Sequence, residues 1–186
     1  MITIALIAGY LNPFLITSDV KPEFLFAYYI LVNLLSCVYV FKNPDKSAIN
    51  FINLCLTFLF LTSAIFMDIS NVSIIYPLVL WLLYLVYDVV RKNKGTDNSD
   101  PNNILNWLNY AVLTLFTFLI FNSEKTYIGY LILSVGIIYA GLVAKYITNK
   151  SEMYKPYLYS GILCVFLATF FLSDGTYRIF LWSLDL

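Results

Sequence analysis

Long apolar runs, each close to the length of a membrane-spanning helix, recur along the sequence and constrain its fold more than any other feature. A helix needs roughly 20 residues to cross about 30 Å of hydrocarbon. Short polar segments separate seven such runs, at residues 1–17, 23–41, 49–67, 74–90, 104–121, 127–147 and 155–172. A further apolar run, 176–186, stops short of that length and predicts a partial helix.

The composition favours the same class of protein. The chain is 61% hydrophobic and 12% charged, whereas soluble domains are about 45–50% apolar and about 25% charged. A chain this apolar cannot cover a water-facing surface, which excludes an ordinary soluble enzyme and a disordered tail. We therefore predict an all-α, polytopic transmembrane helical bundle with about seven spanning helices and a short C-terminal half-helix. The bundle is expected to form a single domain over residues 1–186, in contact with a lipid bilayer.

Proline positions support these boundaries. Asp100 and Pro101 precede the fifth run, where Asp suits a helix N-cap and Pro suits the first helical position. Pro22 and Pro156 also stand at the start of their helices. Pro13 comes late in the first run and predicts a kink or an end there, because it removes one backbone hydrogen bond.

The basic residues predict an orientation. If every run spans, eight of the eleven Lys and Arg residues fall on one side, and only Lys21, Lys125 and Arg178 fall on the other. Cytoplasmic loops carry the excess of Lys and Arg. The side with eight is therefore expected to be cytoplasmic, and the N-terminus of this chain lies on that side.

Residues that commonly carry chemistry are scarce. The sequence contains no histidine, and Cys37, Cys55 and Cys164 lie far apart inside apolar runs without zinc-ligand spacing. Formal net charge is zero and no basic stripe is present, so nucleic-acid binding is not expected. No paired carboxylates, Ser/His/Asp set or phosphate loop occurs in the sequence. We expect no cofactor, no metal and no catalytic residue.

A few polar residues inside the apolar runs are the candidates for binding. Asn33 lies near the middle of the second run, and Asn12 stands beside Pro13, where a broken helix frees a carbonyl group. Asp185 would be a carboxylate at membrane depth if the last run continues as a helix. Alternatively, residues 176–186 lie flat at the interface as an amphipathic helix.

Most polar side chains in the runs also have a purely structural interpretation. In lipid, Asn, Ser and Thr usually bond across helices or to their own backbone. We expect this of Asn53, Thr57, Thr62, Ser63, Asn106, Asn109, Thr114, Thr117, Ser134, Ser160 and Thr169. Asp88 is expected to pair with Arg91 or Lys92 at the cytoplasmic end of its helix.

A stripe of small residues marks a helix-packing face. Gly136, Ala140 and Ala144 recur every four residues in the sixth run. Small side chains allow another helix to approach closely in a membrane. We interpret the stripe as a packing surface.

Three short segments resemble a large bacterial family of multi-spanning membrane proteins, domain of unknown function 2339. The segment Gly9-Tyr10-Leu11-Asn12-Pro13-Phe14-Leu15 is similar to the family's "Gly-aromatic-Leu-Thr-Pro-x-Leu" turn, with Asn12 in place of Thr. Leu25-Phe26-Ala27-Tyr28, followed by Asn33, is similar to its "Leu-Phe-Gly-Tyr…Leu-Asn" helix. The stretch 172–176 with Trp182 and Asp185 resembles its "Leu-x-Gly…Trp-x-x-Glu" element, with Asp in place of Glu.

The resemblance carries implications that the residues alone do not. Family members are much longer, so it implies that this chain is an internal fragment or a truncated copy. Its partners would then be further transmembrane helices of a longer parent protein, or other copies in a homo-oligomer. The resemblance also implies a location in the bacterial cytoplasmic (inner) membrane. It implies no activity, because the family has none established.

The sequence is compatible with three functions. The first is a non-catalytic membrane or envelope module, which fits the uncharged runs. The second is part of a transporter or channel, which should place Asn12 and Asn33 on one water-lined cavity. The third is a membrane enzyme acting on lipid-linked substrates. It should bring together the outer carboxylates, which are Asp19, Glu23, Asp68, Glu124 and Asp174.

Overall fold

The computed structural model of the chain describes residues 8–9, 22–67, 74–94, 100–121, 124–148 and 154–172. These residues contain six α-helices, which confirms the all-α prediction. In chain order they are α1 (Pro22–Lys42), α2 (Ala48–Met67), α3 (Ile75–Asn93), α4 (Asp100–Ile120), α5 (Lys125–Thr148) and α6 (Lys155–Leu172). A short 3-10 helix, Pro44–Lys46, connects α1 to α2.

Prolines set several of the helix boundaries. Pro22 is the first residue of α1, and Pro101 and Pro156 are the second residues of α4 and α6. A proline costs nothing there, because the first backbone N–H groups of a helix have no partner within the helix. At the end of α1 the N–H of Asn43 bonds to Tyr39 O at 3.1 Å. The next residue is Pro44, which cannot donate the following bond, so the α-helix stops.

Within the described residues, three helical segments are long and apolar enough to cross a membrane: Phe24–Lys42, Lys125–Thr148 and Lys155–Leu172. Each helix of the structure exposes large apolar side chains. Examples are Leu35, Leu59, Leu82, Ile104, Ile137 and Ile162, in order from α1 to α6. Such surfaces are unfavourable in water and suit contact with lipid.

The prediction of seven spanning helices is wrong for the part of the chain that is described. Asp88, Arg91 and Lys92 occupy the end of α3 and limit its apolar part to residues 75–87, a rise of about 20 Å. The apolar part of α4, Ile104–Ile120, is also short. Counting apolar runs in the sequence gives too little weight to charges at helix ends. Most of the first run and the partial helix 176–186 lie outside the described residues.

The chain divides into two compact units, Met1–Phe116 and Thr117–Leu186. In unit 1, α1 packs against both α2 and α3. An apolar cluster joins these three helices to α4 and consists of Cys37, Val40, Leu54, Leu80, Tyr84, Tyr87 and Leu105. In unit 2, α5 and α6 pack along each other. A single domain over 1–186 stays a prediction.

Glycines bring the two helices of unit 2 close together. A Cβ atom added to Gly136 would lie 3.0 Å from Cys164 Cβ, and one added to Gly129 would lie 2.5 Å from Leu172 Cγ. Both distances are shorter than ordinary van der Waals contact, so only glycine fits these positions without a shift of the partner.

Tyrosines fill the remaining space at one end of unit 2. The Tyr157 ring stacks on Tyr146, with centroids 5.5 Å apart, and on Tyr139 at 6.2 Å. All three side chains are buried. Stacked aromatic rings add a directional contribution to the area that they bury.

Candidate functional site

Asn33 is the centre of a buried polar cluster in unit 1. Its Nδ2 donates to Thr57 Oγ1 of α2 and to Tyr29 O of its own helix, each at 2.7 Å. Its Oδ1 accepts from Tyr84 Oη of α3 at 2.5 Å and from Asn53 Nδ2 of α2 at 3.2 Å. An asparagine amide offers two donors and two acceptor lone pairs. The hydrogen-bonding capacity of Asn33 is therefore used in full by protein groups from three helices.

Neighbouring side chains extend this cluster. Ser36 Oγ donates to Asn50 Oδ1 at 3.0 Å, and Thr57 Oγ1 donates to Asn53 O at 2.8 Å. We call Asn33, Ser36, Asn50, Asn53, Thr57 and Tyr84 the amide network; all six side chains are buried. Asn50, Asn53 and Thr57 lie at i, i+3 and i+7 and so share one face of α2.

The amide network holds α1, α2 and α3 together. In lipid there is no hydrophobic driving force between helices, so packing and interhelical hydrogen bonds decide association. A buried polar group without a partner is costly there. The polar groups of the network hydrogen-bond mainly to one another across helices, so the network is a site that joins the three helices.

Charged side chains form a second buried cluster at the end of α3. Lys92 Nζ pairs with Asp88 Oδ2 at 2.8 Å, with both side chains 6% exposed. Arg91 Nη1 donates to Tyr87 Oη at 3.2 Å. The ion pair expected between residues one helical turn apart is confirmed for Asp88 and Lys92. Both side chains are more buried than is usual for charged residues at the end of a solvent-exposed helix.

Two asparagines on α4 contrast with the amide network. Asn109 Nδ2 donates to Trp81 O of α3 at 2.9 Å. Asn109 Oδ1 and both amide atoms of Asn106 have no hydrogen-bond partner among the described residues. The Asn106 and Asn109 side chains are only 3% and 1% exposed. In the amide network, Asn50 Nδ2 is likewise unpartnered within the described part of the chain.

The structure describes only some of the residues proposed from sequence for binding. Asn33 is fully buried and bonded as above. Asn12 and Asp185 lie outside the described residues, so the predicted binding set of Asn12, Asn33 and Asp185 stays a prediction. In the small-residue stripe, Gly136 is buried against α6, whereas Ala140 and Ala144 are exposed. Packing of those two alanines against another helix also stays a prediction.

The side chain of Tyr28 contacts the backbone of Gly9, and each residue comes from a segment that carries the predicted resemblance. Tyr28 Oη of α1 donates to Gly9 O at 2.8 Å. Tyr28 belongs to the second resembling segment and Gly9 to the first. The contact joins Gly9 to the helix that carries Asn33.

Backbone bonding by hydroxyl side chains is confirmed at several predicted positions. Each hydroxyl donates to a carbonyl three or four residues earlier: Thr62 to Phe58, Thr114 to Tyr110, Ser134 to Leu131, Ser160 to Pro156 and Thr169 to Phe166. Asn106 departs from the expectation.

Sequence reasoning missed Ser36, Asn50 and Tyr84. Ser36 and Asn50 are polar residues inside or beside apolar runs, which is the signal that identifies Asn33. Tyr84 carries no such signal, because tyrosines in a membrane protein are typical of the interface in general.

The described residues contain no group of three His, Cys, Asp or Glu side chains close enough to hold a metal ion. Of the five outer carboxylates, the Glu124 side chain is exposed and borders an open depression with Lys125, Thr126, Tyr127 and Tyr130. The side chains of the other four lie outside the described part of the chain.

Comparison with known proteins returns no family model, no functionally characterised protein and no solved structure that matches this chain. The resemblance to domain of unknown function 2339 therefore stays a prediction that depends on short motifs.

Proposed function

We propose that this chain is a multi-spanning integral membrane protein that acts as a non-catalytic helix-packing module of the bacterial cytoplasmic membrane. Three helices of sufficient length and apolarity, and apolar side chains exposed on all six, support membrane insertion. The observation that carries the module interpretation is the saturation of Asn33 by Thr57, Tyr84, Asn53 and its own helix. Three of its four hydrogen bonds join helices and the fourth goes to its own backbone, so the side chain has none left for a solute.

The basic residues after α1 and at the end of α3 support an orientation in which these two helix ends face the cytoplasm; with residues 1–17 as a further span, the N-terminus of this chain lies on the same side. Nζ of Lys94, the residue that follows α3, lies 4.3 Å from the ring centroid of Phe41 of α1, so the basic ends of these two helices are neighbours. Lys46, in the connection after α1, donates to Tyr39 Oη at 3.2 Å. This hydrogen bond raises the pKa of exposed Lys46, a side chain that is already charged at neutral pH at its ordinary pKa. Retained positive charge favours the cytoplasmic side.

The proposed partners are further transmembrane helices, either of a longer parent protein or of another copy of this chain. The exposed alanines Ala140 and Ala144 support this, because small residues on a lipid-facing surface allow a second helix to approach. Beside them, a Cβ atom added to Gly141 would meet no other atom within 4 Å.

A flux assay on reconstituted liposomes separates the module from a transporter or channel. We expect the permeability to potassium, protons and glycerol to equal that of protein-free liposomes. Asn33→Leu should leave permeability unchanged while lowering stability. A specific flux that Asn33→Leu abolishes and Asn43→Leu retains would contradict the module and establish a transport pathway through the amide network.

Cysteine accessibility tests the topology in cells. Single cysteines replace Asn122 or Asn149, which flank the candidate span α5, in a background without Cys37, Cys55 and Cys164. We expect a membrane-impermeant maleimide to label position 122 from outside and position 149 only after permeabilisation. The reverse pattern would overturn the orientation, and labelling of both positions from outside would overturn the spanning arrangement between them.

A further inference from the structure

Asn106 and Asn109 present unused hydrogen-bonding groups within the buried part of α4. Both side chains are more than nine-tenths buried. Asn109 is oriented by its bond to Trp81 O, which leaves its Oδ1 as an acceptor. Asn106 adds one more acceptor, Oδ1, and the donor Nδ2, neither of which has a partner among the described residues.

The spacing of the two residues suits one small bridging group. Residues at i and i+3 of a helix are neighbours, with Cβ atoms about 5–6 Å apart. Two hydrogen bonds of about 2.8 Å that meet at one oxygen span a similar distance. A single oxygen atom can therefore contact both amides.

The donor and acceptor types of these three atoms indicate which class of ligand can bind them. Two carbonyl oxygens need a donor, and one NH₂ group needs an acceptor. A metal cation would satisfy the oxygens and leave Nδ2 without an acceptor, and an anion would satisfy Nδ2 and repel the oxygens. An O–H group both donates and accepts, and water, with two donors, satisfies all three atoms.

We propose that Asn106 and Asn109 form a buried binding site for one water-sized O–H group, supplied by water or by the hydroxyl of a small polar solute. Ordered waters inside proteins typically make about three hydrogen bonds to such groups. The alternative, three unpartnered polar atoms away from bulk water, is unfavourable. The proposal does not depend on the proposed function.

Solid-state NMR of the reconstituted protein tests the site directly. The protein carries ¹⁵N-labelled asparagine, and magnetisation transfer from water to each side-chain amide is measured in proteoliposomes. Loss of its signal in Asn106→Leu assigns Asn106, and Asn106→Gln serves the same purpose if that variant does not accumulate. Asn33 is the matched control, because its amide is equally buried and bonded to Thr57 and Tyr29.

We expect water transfer to Asn106 Nδ2 to be several times faster than to Asn33 Nδ2. A parallel sample in ¹³C-glycerol buffer distinguishes the two sources of the hydroxyl. A ¹³C–¹⁵N contact at Asn106 supports a solute hydroxyl, and fast water transfer without that contact supports water. Transfer as slow as at Asn33, with no ¹³C–¹⁵N contact, overturns the proposal.

Discussion

The helices of unit 1 are joined by hydrogen bonds between amide, hydroxyl and phenol groups, whereas those of unit 2 pack through glycines and stacked tyrosines. In unit 1, Asn33 links α1 to α2 and α3. In unit 2, Gly129 and Gly136 let α6 approach α5, and stacked, buried tyrosine rings fill one end of the helix pair. Both arrangements address the same physical problem, because lipid is as apolar as the helix surfaces and does not drive them together.

The difference predicts different sensitivities in the two units. Two closely packed helices are destabilised when a substitution adds volume between them, because the interface has no room for a larger side chain. A hydrogen-bonded interface fails when a donor or acceptor is removed, because its partners stay buried without a bond. Substitutions that add volume should therefore affect unit 2 most, and those that remove an amide should affect unit 1.

The largest effect is expected for Gly136→Leu. A Cβ atom at this position already lies 3.0 Å from Cys164 Cβ, so leucine forces the helices of unit 2 apart. We expect a loss of about 3 kcal/mol in the free energy of unfolding, measured by SDS titration in mixed micelles. Gly141→Leu is the matched control on the same helix, because no atom lies within 4 Å of its Cβ position. Equal effects of the two substitutions would show that close approach is not what stabilises unit 2.

A smaller loss is expected for Asn33→Leu. The substitution removes three interhelical hydrogen bonds, each contributing about 0.6 kcal/mol in membrane proteins, so we expect a loss of about 1–2 kcal/mol. Asn43→Leu is the control, because the Asn43 amide bonds to Tyr39 O at the end of its own helix and lies at the surface. The same titration measures both variants. If Asn33→Leu lowered the free energy of unfolding no more than Asn43→Leu does, the amide network would not be what stabilises unit 1.

The smallest effect is expected for Ala144→Leu. Ala144 is exposed, so added volume meets no neighbour within the described part of unit 2. We expect a change of less than about 0.5 kcal/mol in the stability of the isolated protein. If Ala144 packs against the proposed partner helix, the substitution should instead weaken self-association, which crosslinking in membranes measures. If Ala144→Leu destabilised the isolated protein as much as Gly136→Leu, Ala144 would have to lie between α5 and α6 rather than on the exposed face.

The sequence predicts the helices well because one physical quantity, the length of an apolar run between polar segments, determines them. The runs at 23–41 and 155–172 correspond to Pro22–Lys42 and Lys155–Leu172 within one residue at each end. The boundary at Asp100 follows from the proline beside it. The number of spans is predicted less well, because charges such as Lys92 shorten an apolar stretch without breaking the helix.

The amide network could be predicted only in part. Asn33 stands out in the sequence because an amide is unfavourable inside an apolar run. Its partners depend on which helices are neighbours and at what height, and a single sequence does not contain that information. Tyr84 lies fifty-one residues away and contributes one of the four bonds. Equally, nothing in the sequence separates Asn33, which is saturated, from Asn106, which lacks partners among the described residues.

A double-mutant cycle between Asn33 and Tyr84 tests most directly whether hydrogen bonds across helices hold unit 1 together. Asn33→Leu, Tyr84→Phe and the double variant are compared with the wild type by SDS titration. The 2.5 Å contact between Tyr84 Oη and Asn33 Oδ1 predicts a coupling free energy of about 1 kcal/mol between the two substitutions. Strictly additive losses would contradict the account, because the two side chains would then stabilise unit 1 independently of their hydrogen bond.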